Sequence, residues 1–347
     1  MKSYWKFGMS SAVAAMVLAG CGDTAEETEV TEEEVEVTEE ETEVTEEETE
    51  VVEEEAEPVE EEAAAEEVAY PLTVTDVTGE EVVIEEEPDA IVSLIPSNTE
   101  IAYALGEGEN IVGVSDFANY PEEVADVEKV GGQEFNVEKI VSLQPDIVLG
   151  HESGLGLGTA GYQQLRDAGI PVYVVDDATN FEEVYASIEA IGQLTGETAA
   201  AEEIVAQMQE EVTAIAEQAA QVEEPKSVFV EVAGTPDIYT TGSNTFMHEM
   251  LEIINAENVA GDQEGWINVD PEQIVEWNPE VILTTYGAFV PDAVEQVMSR
   301  EGFGTVPAVE NEAVIDVNSD LVSRPGPRLT EGLQAIGEAV YPEIYSE

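Results

Sequence analysis

Along residues 70–347 a short apolar run is followed, again and again, by apolar residues at helical spacing. Leu72-Thr-Val-Thr-Asp-Val-Thr-Gly-Glu-Glu-Val-Val-Ile84 alternates at period two on both sides of a glycine-containing turn and predicts a hairpin. Ile91-Val-Ser-Leu-Ile95 reads as a buried strand, and Pro96-Ser97-Asn-Thr-Glu100 opens a helix with capping-box spacing from Ser97 to Glu100. A strand at Ile111 to Val114, a helix after Asn136, a strand at Asp146 to Leu149, a helix around Gln163 to Ala168 and a strand at Val172 to Val175 complete a first α/β unit, residues 70–180. Such alternation predicts a mostly parallel sheet.

The pattern changes from Phe181 to Gln221. After a break at Thr195-Gly196, Ile204, Met208, Val212, Ile215 and Ala219 recur every three or four residues on one face. A helix of about 25 residues would span roughly 38 Å, the diameter of a small domain, and could cross between two lobes. Residues 181–225 are therefore read as a linking helical region ended by Pro225. A second α/β series, 226–347, starts at Ser227-Val-Phe-Val-Glu-Val232. One packed helical crossing predicts small lobe rotations and a largely preformed cleft.

The two halves repeat a segment. Asn136-Val-Glu-Lys-Ile-Val-Ser-Leu-Gln-Pro-Asp-Ile-Val-Leu149 matches Asp270-Pro-Glu-Gln-Ile-Val-Glu-Trp-Asn-Pro-Glu-Val-Ile-Leu283 position for position, so Glu138 corresponds to Glu272 and Pro145 to Pro279. Each copy reads as a cap, a short amphipathic helix, a proline stop and a buried strand. Ser97-Asn-Thr-Glu-Ile101 is echoed by Ser243-Asn-Thr-Phe-Met247. Two like units imply two lobes, and the cleft between lobes is a preferred place for a small-molecule site.

Residues 1–20 differ in kind: Lys2 and Lys6, then an apolar run from Ala12 to Leu18 that is short for a membrane span, then Leu18-Ala-Gly-Cys21. That order is a secretory signal, and Cys21, the chain's one cysteine, stands where a bacterial lipobox is lipidated. No internal disulfide is possible. Residues 22–69 hold 25 acidic and no basic residues, with Thr-Glu-Glu-Glu at 31, 38 and 45. Such a segment, with Cys21, reads as an extended, disordered tether across 21–69.

Formal net charge is −71, from 80 acidic against nine basic residues. With the tether's 25 acids set aside, 55 acids face seven basic residues after residue 69, about −48. This makes nucleic acid or anionic lipid an unsuitable partner and suggests a saline or alkaline habitat.

Chemistry-bearing motifs are few. The chain has no Gly-x-Ser-x-Gly elbow, no phosphate loop ending in Lys-Ser or Lys-Thr, and no His-Glu-x-x-His. Gly154-Leu-Gly-Leu-Gly158 is not expected to lead directly into a helix N-terminus. Catalytic residues are not expected, and an exported, lipid-anchored hydrolase is the competing class. Of the two histidines, His151 lies just past a strand end, where α/β sites gather, whereas His248 lies in a predicted helix. Two histidines cannot supply the several-histidine set of a zinc or manganese receptor. Arg324 and Arg328 hold two of the chain's four arginines in a Pro-Gly-containing segment and suggest a place for a polar or anionic ligand group.

Ile91-Val-Ser-Leu-Ile-Pro-Ser-Asn-Thr-Glu100, Ile111-Val-Gly-Val-Ser115, Asn136 to Leu149, Trp266 to Gln273, and Val317-Asn-Ser-Asp-Leu-Val-Ser-Arg-Pro-Gly-Pro-Arg328 together resemble the iron-siderophore and cobalamin substrate-binding proteins of ABC importers, above all the cobalamin-binding members. The resemblance covers residues 70 to 345. It implies an α/β class III fold, two Rossmann-like lobes joined by a single long α-helix, with cobalamin or a ferric chelate held between them and no resident metal or cofactor. It also implies a monomer outside the membrane that docks on a permease dimer with its ATPase subunits, through Glu138 and Glu272. Ligand-facing positions of cobalamin-binding relatives fall on Phe117, Gln133, His151, Tyr239, Trp266, Asp320 and Arg324. Several relatives carry tryptophan where this chain has Gln133 or His151. A ferric siderophore or haem is the alternative cargo.

Overall fold

A computed structural model describes residues 68–345. The signal, Cys21 and all but the last two residues of the 21–69 tether lie outside the described residues. Among those described, no helix is long and apolar enough to cross a membrane.

The first lobe runs β1 (Leu72–Thr75), β2 (Glu81–Ile84), β3 (Ile91–Ser93), α1 (Pro96–Ala104), β4 (Ile111–Val114), α2 (Val137–Leu143), β5 (Ile147–His151), α3 (Leu155–Asp167) and β6 (Val172–Val175). β1 and β2 form the expected antiparallel hairpin, and β4-β3-β5-β6 are parallel throughout. The linking region is two helices, α4 (Phe181–Thr195) and α5 (Thr198–Ala219), parted at Gly196, whose φ of +87° favours glycine. The second helix is therefore 22 residues long and ends well before Pro225.

The second lobe runs β7 (Ser227–Ala233), β8 (Ile238–Thr241), α6 (Phe246–Ile253), β9 (Glu257–Asn258), β10 (Trp266–Val269), α7 (Pro271–Trp277), β11 (Val281–Thr284), α8 (Ala293–Met298), α9 (Pro307–Glu310), β12 (Val314–Asp316), α10 (Ser319–Val322), α11 (Leu329–Val340) and α12 (Pro342–Tyr345). Its sheet is ordered β10-β8-β7-β11-β12, with β9 also on β7. Unlike the first sheet it is mixed, because β8 and β10 run antiparallel.

The repeat folds alike in both halves. Asn136 caps α2 by accepting from the Lys139 amide at 3.0 Å, while Asp270 precedes α7 without a side-chain cap bond. Both helices stop on a left-handed residue, Gln144 (φ 52°) and Asn278 (φ 53°), followed by proline and a buried strand. Ile140 and Ile274 are each fully buried.

Two local expectations need correction. Ser97 and Glu100 form no capping box: Ile95 is the N-cap, Pro96 takes the first turn, and the Glu100 carboxylate turns to two arginines instead. The helix expected near Gln163 starts at Leu155, so Gly154-Leu-Gly-Leu-Gly158 does open a helix. Further along the same helix, at Gly161, a Cβ would meet the Phe135 ring at 2.5 Å.

One apolar core runs through both lobes and the linker. It joins Ile91, Ile101 and Leu149 to Ile188 and Met208, and these to Val228, Leu283 and Leu329. A shared core opposes wide hinge motion.

Candidate functional site

Ligands of α/β sheets gather beyond the carboxyl ends of strands, and a cavity of the first lobe lies there. The segment after β4 carries Phe117, Gln133 and Phe135, β5 ends in His151, and α3 begins with Leu157 two residues into it; together with Leu94 they line a cavity of about 270 Å³. Phe117 is 57% exposed and lies against Gly132, where a Cβ would come within 3.0 Å of its ring. Phe135 stacks on Tyr162 at 5.4 Å between centroids. The Tyr162 hydroxyl accepts from the His151 amide at 3.2 Å and donates to the His151 carbonyl at 3.3 Å, which fixes the end of β5.

His151 is almost wholly buried, and its Nδ1 accepts from the Ser153 amide at 3.2 Å. Burial holds its pKa below the usual histidine value, against the opposing pull of Asp177 and Asp176. Phe117, Gln133 and His151 are thus brought together by one lobe.

Tyr239 and Trp266 belong to the other lobe. On antiparallel β8 and β10 Tyr239 pairs with Asn268 and Thr241 with Trp266, so both aromatics share one face of the ribbon as diagonal neighbours. Both are well exposed, 41% and 49%, although Trp266 sets its edge on buried Phe246 at 6.2 Å. They do not line the first-lobe cavity.

Sequence reading missed two apolar side chains. Leu157, 63% exposed, and Phe289, 76% exposed, occupy the segments that follow β5 and β11. Carrying the repeat register past Leu149 and Leu283 would have placed them in matching segments. Neither lies in a periodic run, so hydropathy alone gives no signal.

Asp320 and Arg324 lie in a polar cluster between the lobes. Glu100, buried on α1, accepts from Arg324 Nη1 at 2.7 Å and from Arg328 Nε and Nη2 at 2.8 Å each. Arg324 also donates to Asn119 at 2.7 Å and pairs with Asp320 at 2.6 Å, and Asn119 donates to Asp320 at 2.9 Å. Arg328 lays its guanidinium 3.7 Å from the Tyr120 ring centroid. This network already surrounds both arginines with protein acceptors.

The same holds for all seven described basic residues. Arg166 pairs with Asp76 and Arg300 with buried Glu231. Lys139 pairs with Glu128, Lys226 donates to the Val340 carbonyl, and Lys129 to the Ala118 carbonyl. The Tyr286 hydroxyl also donates to Glu231, and burial followed by that carboxylate drives its pKa far up.

Glu138 and Glu272 are both exposed in the first turns of α2 and α7, and neither forms an ion pair among the described residues. His248 is structural, its Nδ1 3.2 Å from Asn258 Nδ2. No cluster of three or more histidine, cysteine or carboxylate residues fit to hold a metal occurs among the described residues.

Comparison with known proteins matches residues 91–321 to the family model described as periplasmic binding protein. The chain is 42% identical over 337 residues to an uncharacterized ABC transporter substrate-binding lipoprotein of Bacillus subtilis, covering 96% of each. It is 29% identical over 252 residues to a vitamin B12-binding protein of Vibrio parahaemolyticus, covering 72% of this chain and 88% of that one. Among solved structures, a possible iron-binding (periplasmic solute-binding) protein of Staphylococcus epidermidis superposes with a TM-score of 0.68 at 38% identity, over 74% of this chain and 100% of that chain.

Proposed function

This chain belongs to the periplasmic binding protein family, and on that premise we propose that it is an extracytoplasmic receptor, lipidated at Cys21, that captures cobalamin and delivers it to an ABC permease. It acts as a binding protein and not as an enzyme. The observation that carries the choice of cargo is the engagement of every described cation by protein acceptors. A ferric chelate rich in carboxylates or catecholates, or a haem dicarboxylate, would find no free counter-cation among the described residues of so acidic a protein. Cobalamin has a broad face, an amide-bearing rim and little net charge. It suits exposed Phe117, Tyr239 and Trp266, with exposed Gln133 as a rim partner.

Glu138 and Glu272 serve as the permease contacts in this reading. Their support is equivalence: the same exposed carboxylate in the same turn of each repeat can meet a two-fold partner with matched basic pockets.

Titration of the purified protein at high salt tests the cargo, with cyanocobalamin, haem and ferric hydroxamates compared by calorimetry and by quenching of tryptophan fluorescence. Saturable one-to-one binding of cobalamin without product is expected. Tight binding of haem or a hydroxamate, with no response to cobalamin, would overturn the choice.

A further inference from the structure

His151 is the one polar ring in the cavity wall besides the Tyr162 phenol, and its environment specifies which nitrogen carries the proton. The Ser153 main-chain amide points at Nδ1 from 3.2 Å, and a main-chain N–H can only donate. This contact calls for a lone pair on Nδ1, to which Ser153 Oγ, 2.8 Å away, can donate as well. The ring caps the tight turn Glu152–Gly154 through this contact, and Tyr162 holds the same residue's main-chain amide and carbonyl. Burial lowers its pKa and so favours the neutral ring, and with Nδ1 accepting, the single proton falls on Nε2.

Nε2 has no hydrogen-bond partner among the described residues. It is also not one of the sealed, unpartnered side-chain atoms, which are Ser97 Oγ, Asn98 Oδ1, Thr240 Oγ1 and Ser319 Oγ. Nε2 is therefore not sealed, and His151 is one of the residues that line the cavity.

We infer that His151 meets the cargo as a hydrogen-bond donor, through Nε2–H to an acceptor oxygen such as a rim amide carbonyl, and does not ligate the cargo's metal. Coordination by Nε2 would require the proton on Nδ1. That tautomer could donate to Ser153 Oγ, 2.8 Å away, but would set Nδ1–H against the Ser153 N–H. The residue thereby selects cargo whose metal is already saturated or supplied with its own axial groups. It disfavours cargo that needs a protein nitrogen on the metal. This assignment rests on the receptor reading above for the identity of the cargo, but the tautomer itself does not.

Two measurements on the full protein test it. In the free protein labelled with 15N-histidine, long-range 1H–15N spectra at neutral pH should show a neutral Nε2–H ring that vanishes in H151Q; a neutral Nδ1–H ring or an imidazolium overturns the inference. Aquacobalamin, whose axial water exchanges for imidazole, is the ligand probe. Its visible spectrum should stay that of the water-ligated form on binding, with affinity about tenfold weaker in H151A and largely restored in H151Q, whose amide can donate. A shift to a nitrogen-ligated spectrum that H151A abolishes overturns the donor role, as does an H151Q variant as weak as H151A. Failure of every cobalamin to bind overturns the receptor's proposed cargo and leaves the free-protein spectra to decide the tautomer.

Discussion

Glu100 and Arg328, 228 residues apart in sequence, close a two-pronged ion pair between the first lobe and the approach to α11, with both contacts at 2.8 Å. Glu100 is 2% exposed at its side chain and Arg328 15%, so solvent screens the pair little. Arg324 shares the same carboxylate, making Glu100 the common acceptor of a contact that fastens the lobes.

Glu100→Ala should therefore destabilise the fold by about 3–5 kcal/mol, the usual cost of leaving buried partners uncompensated. Arg328 would be left without its carboxylate, while Arg324 would keep Asp320 and Asn119. Urea unfolding measures this. A loss under about 1 kcal/mol, the range of an exposed pair, would show that the contact does not fasten the lobes.

Phe289→Ala and Leu157→Ala separate binding from folding. Both side chains are largely exposed, so stability should change by less than about 0.5 kcal/mol. If the segments after β5 and β11 cover a bound chelate, affinity should fall about tenfold for Phe289→Ala and less for the smaller side chain. Equal affinities in wild type and both variants would remove these residues from the site.

Reversal of both docking carboxylates, Glu138→Lys with Glu272→Lys, should abolish uptake in cells while cobalamin affinity of the purified protein stays within about twofold. A single reversal should give an intermediate rate. Undiminished uptake by the double variant would refute the docking assignment.

Glu107 provides a pH test. Burial, and then the nearby charges of Glu197, Glu87 and Asp89, raise its pKa in spite of the hydrogen bond from Asn110 at 2.7 Å. A carboxyl whose folded pKa lies above its unfolded one favours the folded state when protonated, and that contribution is lost as pH rises through the folded value. Glu107→Gln, which keeps an acceptor for Asn110, should match wild type near pH 4 and become progressively more heat-stable than it toward pH 7. A gap that closes as pH rises would contradict this direction.

The net charge of −71 makes stability salt-dependent. The melting temperature should climb as sodium chloride is raised from millimolar to about 1 M, where the screening length falls to about 3 Å. A flat response would show that the carboxylates are too far apart to repel.

What the sequence determined by itself is local. Asn136 as a cap, the proline stops and the apolar strands act through neighbouring residues, so both copies of the repeat are legible in the residue order alone, whereas the left-handed Gln144 and Asn278 before the prolines came from the structure. The parallel first sheet and the linking helices follow from the same periodicities. Tertiary structure decided which charges are already answered. The carboxylate that Arg324 and Arg328 share, Glu100, is more than 220 positions away, so no sequence pattern shows the pairing. It also set the start of α3 at Leu155, and it chose the proton-bearing nitrogen of His151 by aiming the Ser153 amide at the other. Spacing encodes what neighbours do to one another; the partner of a buried charge or the tautomer of a buried ring depends on contacts that exist only once the chain has closed on itself.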